Sequence, residues 1–126
     1  MRRFLTAASI AAFASLALAS GASAKPMTKT CTASSPNVIG KTITGSLFAS
    51  NVDPSQARFA TCAQAKKVMT KTTEIRVEEP RITAAFRCTP TVKSTNPDVV
   101  AYKCVFKGAD TATFIKLTFQ VKYDQD

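Results

Sequence analysis

Two periods of hydrophobicity run along this chain. Over residues 53–72, at 100° per residue, Phe59, Cys62, Ala65, Val68 and Met69 fall on one half of a cylinder. Gln56, Gln64, Lys67 and Lys71 fall on the other, which predicts one amphipathic helix. Asp53, Pro54 and Gln56 mark its start: an acceptor at the cap, a residue with no amide to orphan at the first position, and capping-box spacing. From residue 74 the period becomes two. Ile75 and Val77 alternate with Glu74, Arg76 and Glu78, predicting a strand over 74–79, and Pro80 then places a bend or bulge. A strand over 81–88 turns Ile82, Ala84, Phe86 and Cys88 inward and Arg81, Thr83, Ala85 and Arg87 outward. Residues 89–98, with Pro90 and Asn96-Pro97, read as a connecting loop. A strand over 99–106 turns Val100, Tyr102, Cys104 and Phe106 inward. After a turn at 108–110, a last strand over 112–123 sets Ile115, Leu117, Phe119, Val121 and Tyr123 against Phe114, Lys116, Thr118, Gln120 and Lys122.

The residues before the helix are less patterned. Residues 25–36 are rich in Thr and Ser and read as an irregular arm anchored by Cys31. Within 38–52, interrupted by Gly40 and Gly45, Ile43, Leu47 and Phe48 suit one short edge strand over 43–48. The expected class is α+β: one helix packed on a three- to four-stranded antiparallel sheet, in a domain of residues 53–126 behind an N-terminal arm of residues 25–52.

Residues 1–24 follow another logic. Arg2 and Arg3 precede an apolar run over 4–19, and Ala22-Ser23-Ala24 stands before Lys25, the three parts of an export signal peptide. Thr6, Ser9, Ser15 and Ser20 interrupt a stretch shorter than the roughly 20 apolar residues of a membrane span, so no transmembrane anchor is expected. Cleavage after Ala24 leaves one small domain outside the cytoplasm and, with Arg2 and Arg3 gone, lowers the formal charge from +9 to +7.

Four cysteines, Cys31, Cys62, Cys88 and Cys104, in an exported domain predict two disulfides. A metal or redox site is disfavoured, because no C-x-x-C occurs and histidine is absent. Three pairings are possible. Antiparallel pairing centred on Asn96 would set Cys88 opposite Cys104 and Phe86 opposite Phe106, which favours Cys88 with Cys104 and leaves Cys31 for Cys62.

Catalysis finds few parts. Without histidine a general base would be a carboxylate, lysine or thiolate. The one acidic cluster, Glu74, Glu78 and Glu79, adjoins Arg76 and reads as a salt-linked surface. No serine-nucleophile, phosphate-loop or dinucleotide motif occurs, so a non-enzyme without cofactors is expected. The basic excess is more informative. Arg76, Arg87, Lys103, Lys116 and Lys122 occupy outward strand positions with Thr83, Thr118 and Gln120, a set suited to an anionic envelope polymer or a phospholipid headgroup. The favoured reading of the same residues is plainer: they keep an exposed sheet soluble and guard its edges. Nucleic acid is disfavoured, since Phe114 is the single aromatic expected on that face and stacking platforms use several.

The run Cys62-Ala63-Gln64-Ala65-Lys66-Lys67-Val68, followed by Ala85-Phe86-Arg87-Cys88 and Tyr102-Lys103-Cys104, resembles small exported bacterial proteins of unknown function. Those carry a helical Cys-Ala-x-Ala-(Lys/Arg)-x-Val motif and two later strand cysteines. The resemblance spans residues 53–123 and departs at Ala84-Ala85, where such proteins often have Gly before the aromatic residue. It implies an α+β disulfide domain outside the cytoplasm, with the shared positions structural, and it implies no activity. Tyr102-Lys103-Cys104 followed by Gly108 is also similar to a C-terminal stretch of bacterial lysozyme inhibitors, although their Ser-Gly-x-x-Tyr loop is missing here. The expected role is a non-enzymatic binding or structural module whose partner is an envelope protein or an anionic polymer. Electrostatic attachment through the basic sheet face and inhibition of an extracellular hydrolase stand as alternatives.

Overall fold

The computed structural model describes residues 25–106 and 112–124. The expected signal peptide and the turn at 108–110 lie outside them. In chain order the elements are β1 (Met27–Ser34), β2 (Thr42–Ser50), a 3-10 helix (Pro54–Ala60), α1 (Cys62–Glu74), β3 (Arg81–Thr83), β4 (Phe86–Ser94), β5 (Val99–Phe106) and β6 (Phe114–Lys122). The strands form one antiparallel sheet in the order β1-β2-β6-β5-β4-β3. The class is α+β as expected, but the sheet has six strands rather than three or four.

The segment read as an arm supplies two of the six strands. In β1, buried Cys31 and Ala33 alternate with exposed Thr28, Thr30, Thr32 and Ser34. The period is two, but small and hydroxylated residues carry it, so no apolar run marks it. The expected edge strand over 43–48 lies inside β2, which is an interior strand between β1 and β6. Its inward positions are Ile43, Gly45, Leu47 and Ala49. A Cβ on Gly45 would stand 2.8 Å from Met69 Sδ, so this glycine lets the helix lie close on the sheet.

The expected single helix over 53–72 is two. Asp53 does cap a first turn: its Oδ1 accepts from the Ser55 amide at 2.9 Å and the Ser55 hydroxyl at 2.7 Å. That turn belongs to the 3-10 helix. Thr61 is extended (φ −122°, ψ 158°), and its Oγ1 accepts from the Gln64 amide at 3.2 Å to begin α1. Gln56 does not close a capping box; its Oε1 is buried without a partner. Gln64 has the same spacing from Thr61 that Gln56 has from Asp53, and its side-chain amide donates instead to Ala84 O at 2.8 Å. Of the expected apolar face, Ala65, Val68 and Met69 are fully buried, while Phe59 and Cys62 pack at the margin of the core.

The expected strand over 74–79 is absent. Glu74 closes α1, the Arg76 amide donates to Thr73 O and the Val77 amide to Thr72 O, with Arg76 at φ +54°. This is a Schellman cap with arginine in the left-handed position usually held by glycine. Its apolar member, Val77, is buried, and Ile75, expected beside it, is 43% exposed. The Ile75/Val77 alternation thus belongs to a helix end.

Neither a continuous strand over 81–88 nor a loop over 89–98 is found. Thr83 pairs with Phe86, so Ala84 and Ala85, at φ +48° and +77°, form a two-residue hairpin turn. The turn flips the phase before it: Thr83 points inward and is buried, whereas Ile82, expected inward, is 62% exposed opposite Arg87. Pro80 lies outside the sheet, and of the expected bend or bulge the structure has a bend, at Glu79. Strand β4 then continues to Ser94 through Pro90. Strand β3 covers only the first part of β4, so this proline lies on an open edge where its missing amide breaks no ladder bond.

Both disulfides have the expected partners, Cys31–Cys62 and Cys88–Cys104. The register sets Cys88 opposite Cys104 and Phe86 opposite Phe106. The first bridge ties the start of α1 to β1. At the other end Asn37 Nδ2 donates to the last carbonyls of α1, Thr73 O at 3.0 Å and Glu74 O at 3.2 Å. Helix α1 therefore covers the β1–β2 half of the inner face, packing more against β1 than against any other strand, and the Thr70 hydroxyl takes the Ser34 carbonyl at 3.1 Å. The core lies between α1 and the inner face, with Leu47, Val68, Met69, Phe86, Ile115 and Leu117 fully buried.

Candidate functional site

The outer face of the sheet, opposite the helix, has an unusual composition. None of the six strands contains Asp or Glu. The register lays its side chains in rows. One row runs Thr28, Phe48, Lys116, Val105, Arg87, Ile82 from β1 across to β3. The next runs Thr30, Ser46, Thr118, Lys103, Thr89.

These rows bring three of the five expected basic residues together. Arg87 and Lys116 flank Val105 from the neighbouring strands, and Lys103 stands two residues from it on its own strand. Strands about 4.8 Å apart put Arg87 and Lys116 roughly 10 Å from each other at the backbone, with Lys103 diagonal to both. That is about one Debye length at physiological salt, so the three fields add. Arg87 and Lys103 are exposed and Lys116 is half-buried beside Phe48. No ion pair holds any of them among the described residues.

Hydroxyls and one aromatic pair surround the cations. Beyond Lys103, the short side chain of Ala101 leaves a shallow depression bordered by Thr91, Lys103, Thr118 and Gln120. On the other side of Lys116, Phe48 and Phe114 meet edge to face with ring centroids 5.9 Å apart. Thr118 and Gln120 are on this face as expected. Lys122 is too, but at its far end opposite Val99. The surface offers uncompensated positive charge with hydroxyl donors between the charges, which suits an extended ligand carrying repeated anionic groups.

Two expected members are elsewhere. Thr83 points into the interior. Arg76, expected on a strand, sits at the end of α1. Its guanidinium lies 4.4 Å from the Tyr123 ring centroid and 3.6 Å from Asp98 Oδ2. It is bound into the structure at the helix end and does not belong to the outer face. Beside it Tyr102 Oη donates to Val77 O at 2.7 Å and is 2.7 Å from Tyr123 Oη. Burial pushes the Tyr102 phenol pKa well above its usual value near 10 and raises that of Tyr123 as well. Sequence reasoning missed this pair, since two inward tyrosines on separate strands carry no spacing signal.

No helix of the described residues is long and apolar enough to cross a membrane. The two disulfides point to an oxidising, extracytoplasmic environment. Comparison of the chain with protein-family models, with curated proteins and with solved structures gave no match.

Proposed function

We propose that this chain is an exported, non-enzymatic binding domain that attaches to an anionic polymer of the cell envelope through the outer face of its sheet. The observation that supports the reading is the cluster of Arg87, Lys103 and Lys116 around Val105, on a face whose strands carry no carboxylate. Attraction of this kind weakens steeply with salt, because each neutralised anionic group releases a counterion.

The test is retention of the oxidised domain, residues 25–126, on beads bearing a sulfated polysaccharide or polyphosphate, at low salt and again near ~0.5 M. Wild type is expected to be retained at low salt and released at high salt. The K103E/K116E double variant is expected to fold with an unchanged unfolding midpoint and to lose retention. Equal retention of the variant would overturn the reading. So would capture of an envelope protein that survives the high-salt wash and ignores both substitutions, which would favour a protein interface instead.

A further inference from the structure

The inner face of the sheet is not wholly covered. Helix α1 lies over β1 and β2, and at the end of the sheet beyond Arg76 a half-enclosed cavity of about 260 Å³ opens beside β4 and β5. Val77, Pro90, Val92 and Val100 supply its apolar wall, and Tyr102 and Tyr123 also line it.

Arg76 and Thr95 complete the lining, and its remaining polar groups offer only acceptors. A carbonyl oxygen only accepts, so the bond between Tyr102 and Val77 O consumes the single hydroxyl hydrogen of Tyr102. The bond between the two phenols is therefore donated by Tyr123, whose hydrogen is then also consumed. What remains is lone pairs on both oxygens. The rim adds Glu78 and Asp98. Asp98 is paired with Arg76, and Arg76 is held over the Tyr123 ring, so its charge is compensated where it stands. Glu78 is exposed and has no ion-pair partner among the described residues. An apolar wall, acceptor-only oxygens and one uncompensated carboxylate complement a compact apolar body bearing hydrogen-bond donors and a positive charge.

We propose that this cavity binds a small organic ammonium ion, with its hydrocarbon body against Val77, Pro90, Val92 and Val100 and its N–H groups directed to the phenol oxygens and the Glu78 carboxylate. The site lies across the sheet from Lys103 and Lys116 and is independent of polymer binding.

The protein supplies its own readout. Tyr102 and Tyr123 are the only tyrosines and there is no tryptophan, so intrinsic fluorescence reports on this cavity alone. Titration of the oxidised domain with cyclohexylamine is expected to give a saturable change in tyrosine fluorescence. Cyclohexanol should bind more weakly, and cyclohexanecarboxylate should give no saturable change over the same range. Glu78→Gln, at an exposed position that the fold does not need, is expected to weaken the amine about fivefold. Lys103→Glu, on the opposite face, should leave amine binding unchanged while reducing retention on anionic beads. Absence of saturation with the amine would overturn the proposal, as would carboxylate binding as tight as the amine's or an unchanged affinity in Glu78→Gln.

Discussion

The two faces of the sheet treat positive charge in opposite ways. On the outer face Arg87, Lys103 and Lys116 project from regular strand positions with no carboxylate on any strand beside them. On the inner side Arg76 occupies a left-handed cap position, stacks on Tyr123 and pairs with Asp98. The first three residues add nothing to the core, whereas Arg76 closes the helix end over a buried hydrogen-bond chain. A basic residue in a sequence is thus two different objects, and the backbone it stands on decides which. A strand position leaves the charge to solvent and ligand, and a cap position commits it to the fold.

The contrast can be broken most directly at Arg76. Arg76→Glu removes the cation–π contact and sets like charge against Asp98, which should cost about 2 kcal/mol, read as a lowered denaturant midpoint. Retention on anionic beads should hardly change. Loss of retention in this variant at full stability would show that Arg76 belongs with the outer-face cations after all.

The phenol chain beneath Arg76 gives a second test. Both phenols are held neutral in the folded protein, with folded pKa values above the unfolded value near 10. Their contribution is therefore complete below pH 10 and is lost as pH rises through the folded values. Ultraviolet absorbance should show no phenolate forming near pH 10 while the domain is folded, then a single step that coincides with loss of circular dichroism. Ordinary titration near pH 10 in folded protein would mean that the pair is open to water.

A smaller effect separates the two jobs of Arg76. Arg76→Gly loses the ring contact and the ion pair but relaxes the left-handed backbone, whereas Arg76→Ala loses both contacts and keeps the strain. The glycine variant should be more stable than the alanine variant by about 1 kcal/mol in chemical denaturation. Smallest is Ala85→Gly in the hairpin turn at φ +77°, which should stabilise the domain by about 0.5–1 kcal/mol without touching either face. A loss of stability there would contradict the turn geometry.

Where large apolar residues set the period, the sequence spoke clearly. Strands β5 and β6 and the Cys88–Cys104 bridge follow from alternation and from symmetry about Asn96. Strand β1 was hidden because Cys31 and Ala33 mark its inward side where larger side chains usually do. The break at Thr61 was hidden because Asp53-x-x-Gln56 and Thr61-x-x-Gln64 carry the same capping signal, and only packing decides which one starts the α-helix. Residues 74–78 misled for a geometric reason: a Schellman cap buries Val77 and exposes its neighbours, which a short window cannot tell from a strand. The outer-face set was legible in its residue types but not in its grouping. Arg87, Lys103 and Lys116 become neighbours only through strand register, and the tyrosine pair opposite them only through the fold.

The borders of the sheet have a consequence for crowding. On one side β1 lies against α1, whose Thr70 hydroxyl donates to the Ser34 carbonyl; on the other β3 is three residues long and begins with Arg81, and beyond it Pro90 interrupts the open edge of β4. Neither border offers a neighbouring molecule a full ladder to extend. Copies gathered side by side along one polymer chain would reach a high local concentration, yet they would remain separate beads rather than zip into a fibre.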